Sequence, residues 1–309
     1  MASIDCENIS VPFKLCGKLF GAAGLQSVRE ELLKEPRPNR AELARRLCRR
    51  LSWYALNGNP QLMSARVGLL RLARAGHIEL PPPKTINANG KRKPLLTSDG
   101  EPAPPINCVA KSLAPLVFEP VKGSTNRSKL WNELIERYHY LGYAPMSGAQ
   151  IRYFVKSHGG QELALMSFSA CAWKLAARDR FIGWESQQRE RMLARVLNNS
   201  RFLILPWVQS HNLASLILAT CARVLPADFE REHGVRPLLL ESFVERERFA
   251  GTCYRAAGWT LVGATSGRGR NDRFSEKKLP VKDIWLRSLS RDWRNKLLAH
   301  SSQNVGEQG

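Results

Sequence analysis

The feature that most constrains the fold is an alternation of apolar strand-like runs with helical runs from Leu130 onward. The segments QIRYFVKS and ELALMSFSA predict two strands of a hairpin around HGGQ, and RFLILPWV, PLLLESFV and TLVGATSG predict three more strands. Between them, KLWNELIERYHYLG, ERMLARVLNNS, NLASLILATCARVL and GTCYRAAGW predict helices. Such alternation is typical of an α/β fold. We therefore predict an α/β domain with a mixed sheet over residues 121–298.

The front of the chain, residues 20–83, reads as helical. VREELLKE predicts one helix, and NRAELARRLCRRLSWY predicts a second that begins at the N-cap Asn39. Its apolar side chains recur on one face: Leu43, Leu47 and Leu51. A third helix is predicted to begin at Ser64 and to present an apolar face: Val67, Leu70 and Leu72. A short strand is expected at residues 77–80, so the order predicts a winged-helix-like, DNA-binding domain.

A proline-rich segment separates these two parts. Residues 84–120 combine prolines and turn-forming glycines and asparagines with the basic run KRK at residues 91–93. Polar, proline-rich chain buries too little surface to offset the entropy of ordering it. We therefore predict an exposed linker.

The charge of the chain points to a polyanionic partner. Lys and Arg number 47 against 27 for Asp and Glu, a net charge of +20. A positive field of this size speeds the capture of polyanions, and nucleic acid, DNA in particular, is the partner we expect; keeping the protein in solution is the alternative role. The start of the chain shows no signal-peptide pattern and no run is long enough to span a membrane, so we expect a cytoplasmic protein without a membrane partner.

Arginines and lysines concentrate in two places. One is the polar face of the second predicted helix, with the residues Arg45, Arg46, Arg49 and Arg50. The other lies in and after GRGR, with the residues Arg268, Arg270, Arg273, Lys277 and Lys278. Arginines beside glycines reach phosphates without steric obstruction, so both sets are predicted to bind nucleic acid.

Several phrases carry a resemblance to a known family. RYHYLGY, RDRFIGW, NNSRFLILPWV, HNLAS, ESFVERERFAGTCYRAAGW and TSGRGR together resemble the DruA family of the Druantia anti-phage system. The resemblance covers approximately residues 25–290. It implies a role in prokaryotic anti-phage defence, with other defence proteins as partners, and it implies no particular reaction.

A second resemblance concerns the fold alone. GNAT acetyltransferases place a [QR]xxGx[GA] loop after a buried strand, where helix N-terminal amides hold the coenzyme A pyrophosphate. Here Gln209 and Ala214 fit the ends of that pattern, whereas Asn212 stands at the first glycine. Tyr254 precedes Gly258 by four residues, as the tyrosine does in the family's YxxxGF segment. The resemblance implies a GNAT-like α/β domain and a Tyr254 able to protonate a leaving group.

Three residues are proposed as catalytic. Glu241 lies in the apolar segment PLLLESFV, where a carboxylate is costly unless it is paired or used; a salt bridge to Arg178 or Arg201 is the alternative. His139 stands between two tyrosines, where its pKa could suit proton transfer or where it could simply be packed. Tyr254 could likewise be a core aromatic.

A divalent metal held by a set of carboxylates is a further hypothesis: Asp179, Glu185, Glu241 and Glu245. The seven cysteines form no CxxC pair, so they are expected to be reduced thiols rather than a zinc or redox site. Beyond this hypothesis, the sequence does not identify a cofactor or a metal. The predicted function is nucleic-acid binding in anti-phage defence; the alternatives are a DNA-processing enzyme, such as a nuclease or a transposition-related protein, and an acyltransferase with a degenerate coenzyme A loop.

Overall fold

A computed structural model of the chain describes residues 13–15, 18–83, 93–146, 148–267 and 279–299. The chain divides into two compact units, residues 1–88 and 89–309. In the described part of the chain, no helix has the length and apolar character needed to cross a bilayer.

The first unit contains a short β-hairpin followed by three helices: β1 (Phe13–Leu15), β2 (Lys18–Phe20), α1 (Ala22–Leu33), α2 (Arg40–Arg50) and α3 (Leu62–Arg74). The side chain of Asn39 accepts hydrogen bonds from the amides of Ala41 and Glu42, which confirms the predicted N-cap. Leu43 and Leu47 are buried, as the spacing predicted, in a core shared by all three helices.

Other predictions for this unit are wrong. The third helix begins at Leu62 rather than at Ser64, and Val67 and Leu70 are more than one third exposed. The buried face of this helix instead includes Ala65, Leu69 and Leu72, which lie in the core shared with α2. Residues 77–80 form no strand. The hairpin precedes the helices instead, so the winged-helix assignment stays a prediction.

The second unit contains a seven-stranded mixed sheet with the order β10-β11-β9-β7-β6-β5-β4. Its strands are β4 (Val117–Pro120), β5 (Gln150–Lys156), β6 (Glu162–Ala170), β7 (Val196–Ile204), β9 (Leu239–Glu245), β10 (Thr260–Ala264) and β11 (Lys282–Ser288). A separate parallel pair joins β3 (Ile106–Asn107) to β8 (Val208–Gln209). Among the described strands of the main sheet, only β7 and β9 pair in parallel.

Helices cover both faces of this sheet, which confirms the predicted α/β class. They are α4 (Asn126–Tyr138), α5 (Ala176–Ile182), α6 (Ser186–Met192), α7 (Leu213–His233), α8 (Thr252–Ala256) and α9 (Trp293–Leu298). Side chains of α4, α7 and α8 share one core with Leu240 and Trp285. Side chains of α5, α6 and α9 share another with Leu239 and Ile284. Neighbouring strand residues thus enter different cores, as pleating requires.

The elements agree in part with those predicted. The β5–β6 hairpin is confirmed, with Tyr153 opposite Met166. The helix predicted for ERMLARVLNNS ends at Met192, because Val196 and the residues after it pair with β6 and β9. Strand β11 was not predicted. Within the segment predicted as a linker, residues 106–107 and 117–120 are strands of the second unit.

Candidate functional site

The site begins where two parallel strands separate. β7 and β9 pair from Val196 opposite Leu239 to Asn199 opposite Ser242, and then the pairing stops. Beyond that point each strand stays paired with its outer neighbour, β7 with β6 and β9 with β11. A register shift makes Ser200 an extra residue in β7, and such bulges bend a strand. The sheet therefore opens at the carboxyl ends of these strands, where ligands commonly bind in α/β proteins.

A cleft of about 540 Å³ occupies this opening. Its walls come from the end of α4, from the separated parts of β7 and β9, and from residues 248–254 at the start of α8. The volume lies within the ordinary range for sites that enclose small molecules. Its described lining includes the arginines Arg201 and Arg248 and no Asp or Glu.

A buried hydrogen-bond relay forms the floor of the cleft. The Asn199 side-chain amide donates to the carbonyls of Ser167 and Arg201, both at 3.1 Å. Its Oδ1 accepts from the Tyr254 hydroxyl at 3.1 Å, and that hydroxyl accepts from Ser242 Oγ at 3.0 Å. Since both amide hydrogens are used, the relay runs from Ser242 through Tyr254 to Asn199. The floor therefore offers unused lone pairs to a ligand.

Tyr254 is held rigidly in this relay. Its ring packs edge-on against Trp259 at 5.1 Å and is stacked 6.2 Å from Trp285. Gly251, which precedes α8, has φ +67 and lies so close to Trp285 that an added Cβ would sit 2.6 Å from that ring. Burial raises the pKa of the Tyr254 phenol above its ordinary value. The phenol therefore keeps its proton at neutral pH, and the hydrogen bond to Asn199 uses that proton.

His139 forms part of the wall, at the end of α4. Burial lowers its pKa from 6.5 to about 4, and the nearby charges of Arg201 and Lys282 act in the same direction. Its Nδ1 accepts from the Leu141 amide at 3.2 Å, so the neutral ring carries its proton on Nε2. His139 therefore offers the cleft a neutral N–H donor.

The rim of the cleft carries exposed aromatic rings and a cation. Tyr140 is 39% exposed and Phe249 is 47% exposed, and their ring centroids are 5.5 Å apart. The guanidinium of Arg248 lies 4.7 Å from the Tyr140 centroid. In the described part of the chain, neither Arg248 nor Arg201 forms an ion pair with a carboxylate. Arg201 instead donates to the carbonyls of Ser200 and Gly142.

Comparisons with known proteins decide the family. The sequence matches the family described as Druantia protein DruA over residues 72–287, which is more than half of the chain. The chain belongs to the DruA family. Membership places it among proteins of an anti-phage defence system, as the sequence phrases implied. No curated protein matches this DruA-family chain.

Solved structures similar to this DruA-family chain include acetyltransferases. Spermidine N-acetyltransferase from Vibrio cholerae in complex with CoA and spermine has 12% identity and a TM-score of 0.35, over 56% of this chain and 95% of that one. A chimera of the Vibrio cholerae enzyme has 12% identity and a TM-score of 0.37, over 59% and 99% of the two chains. Nourseothricin acetyltransferase has 14% identity and a TM-score of 0.29, over 46% and 66%. Acetyltransferases are also the proteins that the loop and tyrosine spacing resembled.

The structure brings two of the three proposed catalytic residues of the DruA-family protein together. His139 and Tyr254 line the same cleft, whereas Glu241 does not. Glu241 precedes Ser242 by one residue in β9, so its side chain enters the opposite face of the sheet. There it is fully buried, accepts from the Ala172 amide at 2.9 Å and pairs with Arg178 at 2.8 Å. This is the salt bridge that the sequence left open as the alternative.

The proposed carboxylate metal site does not assemble in the described part of the protein. Asp179 bonds to Arg178, as Glu241 does, and Glu185 caps α6. No group of three or more His, Cys, Asp or Glu side chains among the described residues is placed to hold a metal ion. Burial raises the pKa of the Glu241 carboxyl, against the lowering effect of Arg178.

The two predicted basic sets have different outcomes. Each of the four predicted arginines on α2 contacts a glutamate: Arg45 and Arg49 contact Glu42, Arg46 contacts Glu42 and Glu31, and Arg50 contacts Glu30 and Glu31. Glutamates therefore partly neutralise this surface, and its DNA-binding role stays a prediction. The second set lies outside the described residues: Arg268, Arg270, Arg273, Lys277 and Lys278.

The loop before α7 takes a conformation suited to glycine. Asn212 is the N-cap of the 21-residue helix α7 and has φ +65, in the left-handed region that glycine adopts most readily. Asparagine tolerates this region better than most residues do. Asn212, the residue at the glycine position of the loop pattern, therefore adopts a backbone conformation that glycine takes without strain.

Several cleft residues were not predicted as site residues. Asn199 falls in the segment ERMLARVLNNS that the sequence predicts as a helix, yet it lies inside β7 and anchors the relay. Arg248, Phe249 and Ser242 also escaped selection. The signal that could have found Asn199 is the polar pair NN beside the apolar run RFLILPWV, since a polar residue within a buried strand needs partners or a function.

Proposed function

We propose that this DruA-family protein binds nucleic acid, DNA in particular, as its part in anti-phage defence. The observation that carries the proposal is the cleft of the second unit, whose rim combines Arg248 with Tyr140 and Phe249 and whose described lining has no carboxylate. Arginine recognises phosphate, and exposed aromatic rings stack with bases. The net charge of +20 supports the same partner.

The cleft supports the proposal more strongly than the helix α2 does. The arginines of α2 already contact carboxylates, and a phosphate would have to compete with them. Arg248 has an aromatic face as its neighbour and its charge is available to a ligand. The first unit, residues 20–83, is proposed as a secondary DNA-binding surface, and other proteins of the defence system are proposed as further partners.

The test is a binding titration of the full chain. Short labelled single-stranded and duplex DNA would be titrated by fluorescence anisotropy across a salt series. Binding that weakens steeply as salt rises is the expected result, because phosphate contacts release counterions. Absence of binding even at low salt, or affinity unaffected by salt, would contradict the proposal.

An enzyme that acts on nucleic acid is the second candidate. One observation favours it: His139 and Tyr254, two side chains that carry titratable protons, line the same cleft as Arg248, Tyr140 and Phe249. Incubation of labelled DNA with the protein, with and without added Mg²⁺, tests it. Cleaved or joined products that disappear in Tyr254→Phe would support an enzyme, and unchanged DNA would leave binding as the function.

A further inference from the structure

We infer that the cleft takes one unpaired nucleobase from a single-stranded segment, with its sugar and phosphate left at the rim. The inference rests on the proposed nucleic-acid binding and assigns it a substrate class. It combines three observations: the size of the cleft, the aromatic and cationic rim, and the polar floor.

Size excludes a duplex from the cleft. A space of about 540 Å³ is suited to a small molecule. In a double helix the bases are paired and stacked inside, so only the backbone and the groove edges are at the surface and no single base can enter the cleft. Proteins that enclose a single base take it from single strands or flip it out of the duplex. An unpaired base is therefore the part of a nucleic acid that fits.

The rim has the chemistry of a stacking platform. Tyr140 stacks with His139 at a centroid distance of 4.9 Å and lies 5.5 Å from Phe249, yet both Tyr140 and Phe249 keep more than a third of their surface exposed. Exposed aromatic rings beside an arginine offer flat faces on which any base can stack. His139 and Arg248 both lie against the Tyr140 ring, so the base stacks on Phe249, the more exposed ring. The guanidinium of Arg248 is 6.0 Å from the Phe249 centroid, where it can contact the phosphate of that base.

The floor has the chemistry to hold the edge of a base. The relay of Ser242, Tyr254 and Asn199 uses its hydrogens within the relay and on backbone carbonyls, which leaves lone pairs on the hydroxyl oxygens. Those lone pairs accept from N–H donors, such as the exocyclic amino groups of adenine and cytosine. His139 adds a neutral N–H donor from the wall, which suits a ring nitrogen or a carbonyl oxygen.

The experiment compares single-stranded and duplex DNA on rim variants of the full chain. Tyr140→Ala and Phe249→Ala remove the platform, and Trp173→Ala is the matched control because Trp173 is 45% exposed in the same unit but does not line the cleft. The expected result is about tenfold weaker binding of single strands by each rim variant, as removal of one stacking ring gives elsewhere. The affinity of the rim variants for duplex DNA should equal that of wild type, and Trp173→Ala should bind single strands as tightly as wild type does.

The outcomes separate this inference from the proposed function. If wild-type protein binds DNA but the rim variants bind single strands as tightly as it does, nucleic-acid binding stands and the base-binding cleft is refuted. If wild-type protein binds no DNA, the proposed function itself fails. A 2-aminopurine base in the single strand gives a second readout: its fluorescence should change on binding to wild-type protein and not on binding to Tyr140→Ala, and a change of equal size with both proteins would also refute the cleft.

Discussion

The ion pair between Glu241 and Arg178 allows the structural role of Glu241 to be tested quantitatively. Both side chains are fully buried, and their atoms lie 2.8 Å apart. Glu241→Gln keeps the shape and an oxygen for the Ala172 amide, but it leaves the Arg178 charge with Asp179 as its remaining carboxylate neighbour. Removing one partner of a buried pair costs about 3–5 kcal/mol, and the retained contacts favour the lower end.

This cost corresponds to a readily measured shift. For a unit of this size, each kcal/mol lowers the melting temperature by roughly 2–4 °C, so Glu241→Gln should melt roughly 6–12 °C below wild type. The assay is differential scanning calorimetry of the full chain. Glu230→Gln is the control, since Glu230 pairs with Arg236 at the surface and such pairs contribute at most about 1 kcal/mol.

DNA affinity should be unchanged in Glu241→Gln at temperatures where it stays folded, because Glu241 does not line the cleft. An unchanged melting temperature together with loss of DNA binding or of defence would refute this reasoning. That combination would indicate that Glu241 acts in the function of the protein and not in its stability.

Three further predictions concern the cleft and the loop before α7. The pKa of His139 is about 4 in the folded protein against 6.5 ordinarily, so between these pH values only the unfolded chain binds a proton at this residue. The stability of the folded protein should therefore fall as the pH drops from 6.5 to 4. Thermal melts of His139→Gln should show a smaller fall, and a fall equal to that of wild type would contradict the lowered pKa of His139. Oligo-dC should bind more tightly than oligo-dT in competition titrations, because the floor of the cleft accepts hydrogen bonds from amino groups. Tyr254→Phe should reduce this difference in affinity. Equal affinities of wild-type protein for the two oligonucleotides would contradict the hydrogen-bonding role of the floor. Calorimetry should detect no tight binding of acetyl-coenzyme A, because Asn212 stands at the glycine position of the loop, and tight saturable binding would make acyl transfer the leading function.

The sequence predicts best those elements whose pattern is local. The β5–β6 hairpin and helix α7 follow from short-range periodicity, and the Asn39 cap follows from the residue type. The α/β class follows from the order of the elements. Strand β11 was missed because its buried residues Ile284 and Trp285 lie among charged neighbours, in a region interpreted through its charge.

The site could be predicted only in part, because it depends on long-range pairing. Which face of β9 carries Glu241 and which carries Ser242 is set by the pairing of β9 with β7 and β11. The role of Asn199 depends on Tyr254, which lies 55 residues away in sequence. Likewise, the arginines of α2 predicted a nucleic-acid-binding surface, but Arg46 and Arg50 contact Glu30 and Glu31, which belong to another helix. The remaining contacts are local, since Glu42 lies on α2 itself.

The salt dependence of single-stranded DNA binding by Arg248→Ala tests the central claim most directly. Each phosphate contact to a single strand contributes about 0.7 to the slope of log affinity against log salt. If Arg248 binds phosphate at the rim of the cleft, Arg248→Ala should bind more weakly and with a slope about 0.7 smaller than that of wild type. Arg223→Ala, which removes an exposed arginine of α7 outside the cleft lining, should keep the wild-type slope. Equal slopes for Arg248→Ala and wild type would contradict the account.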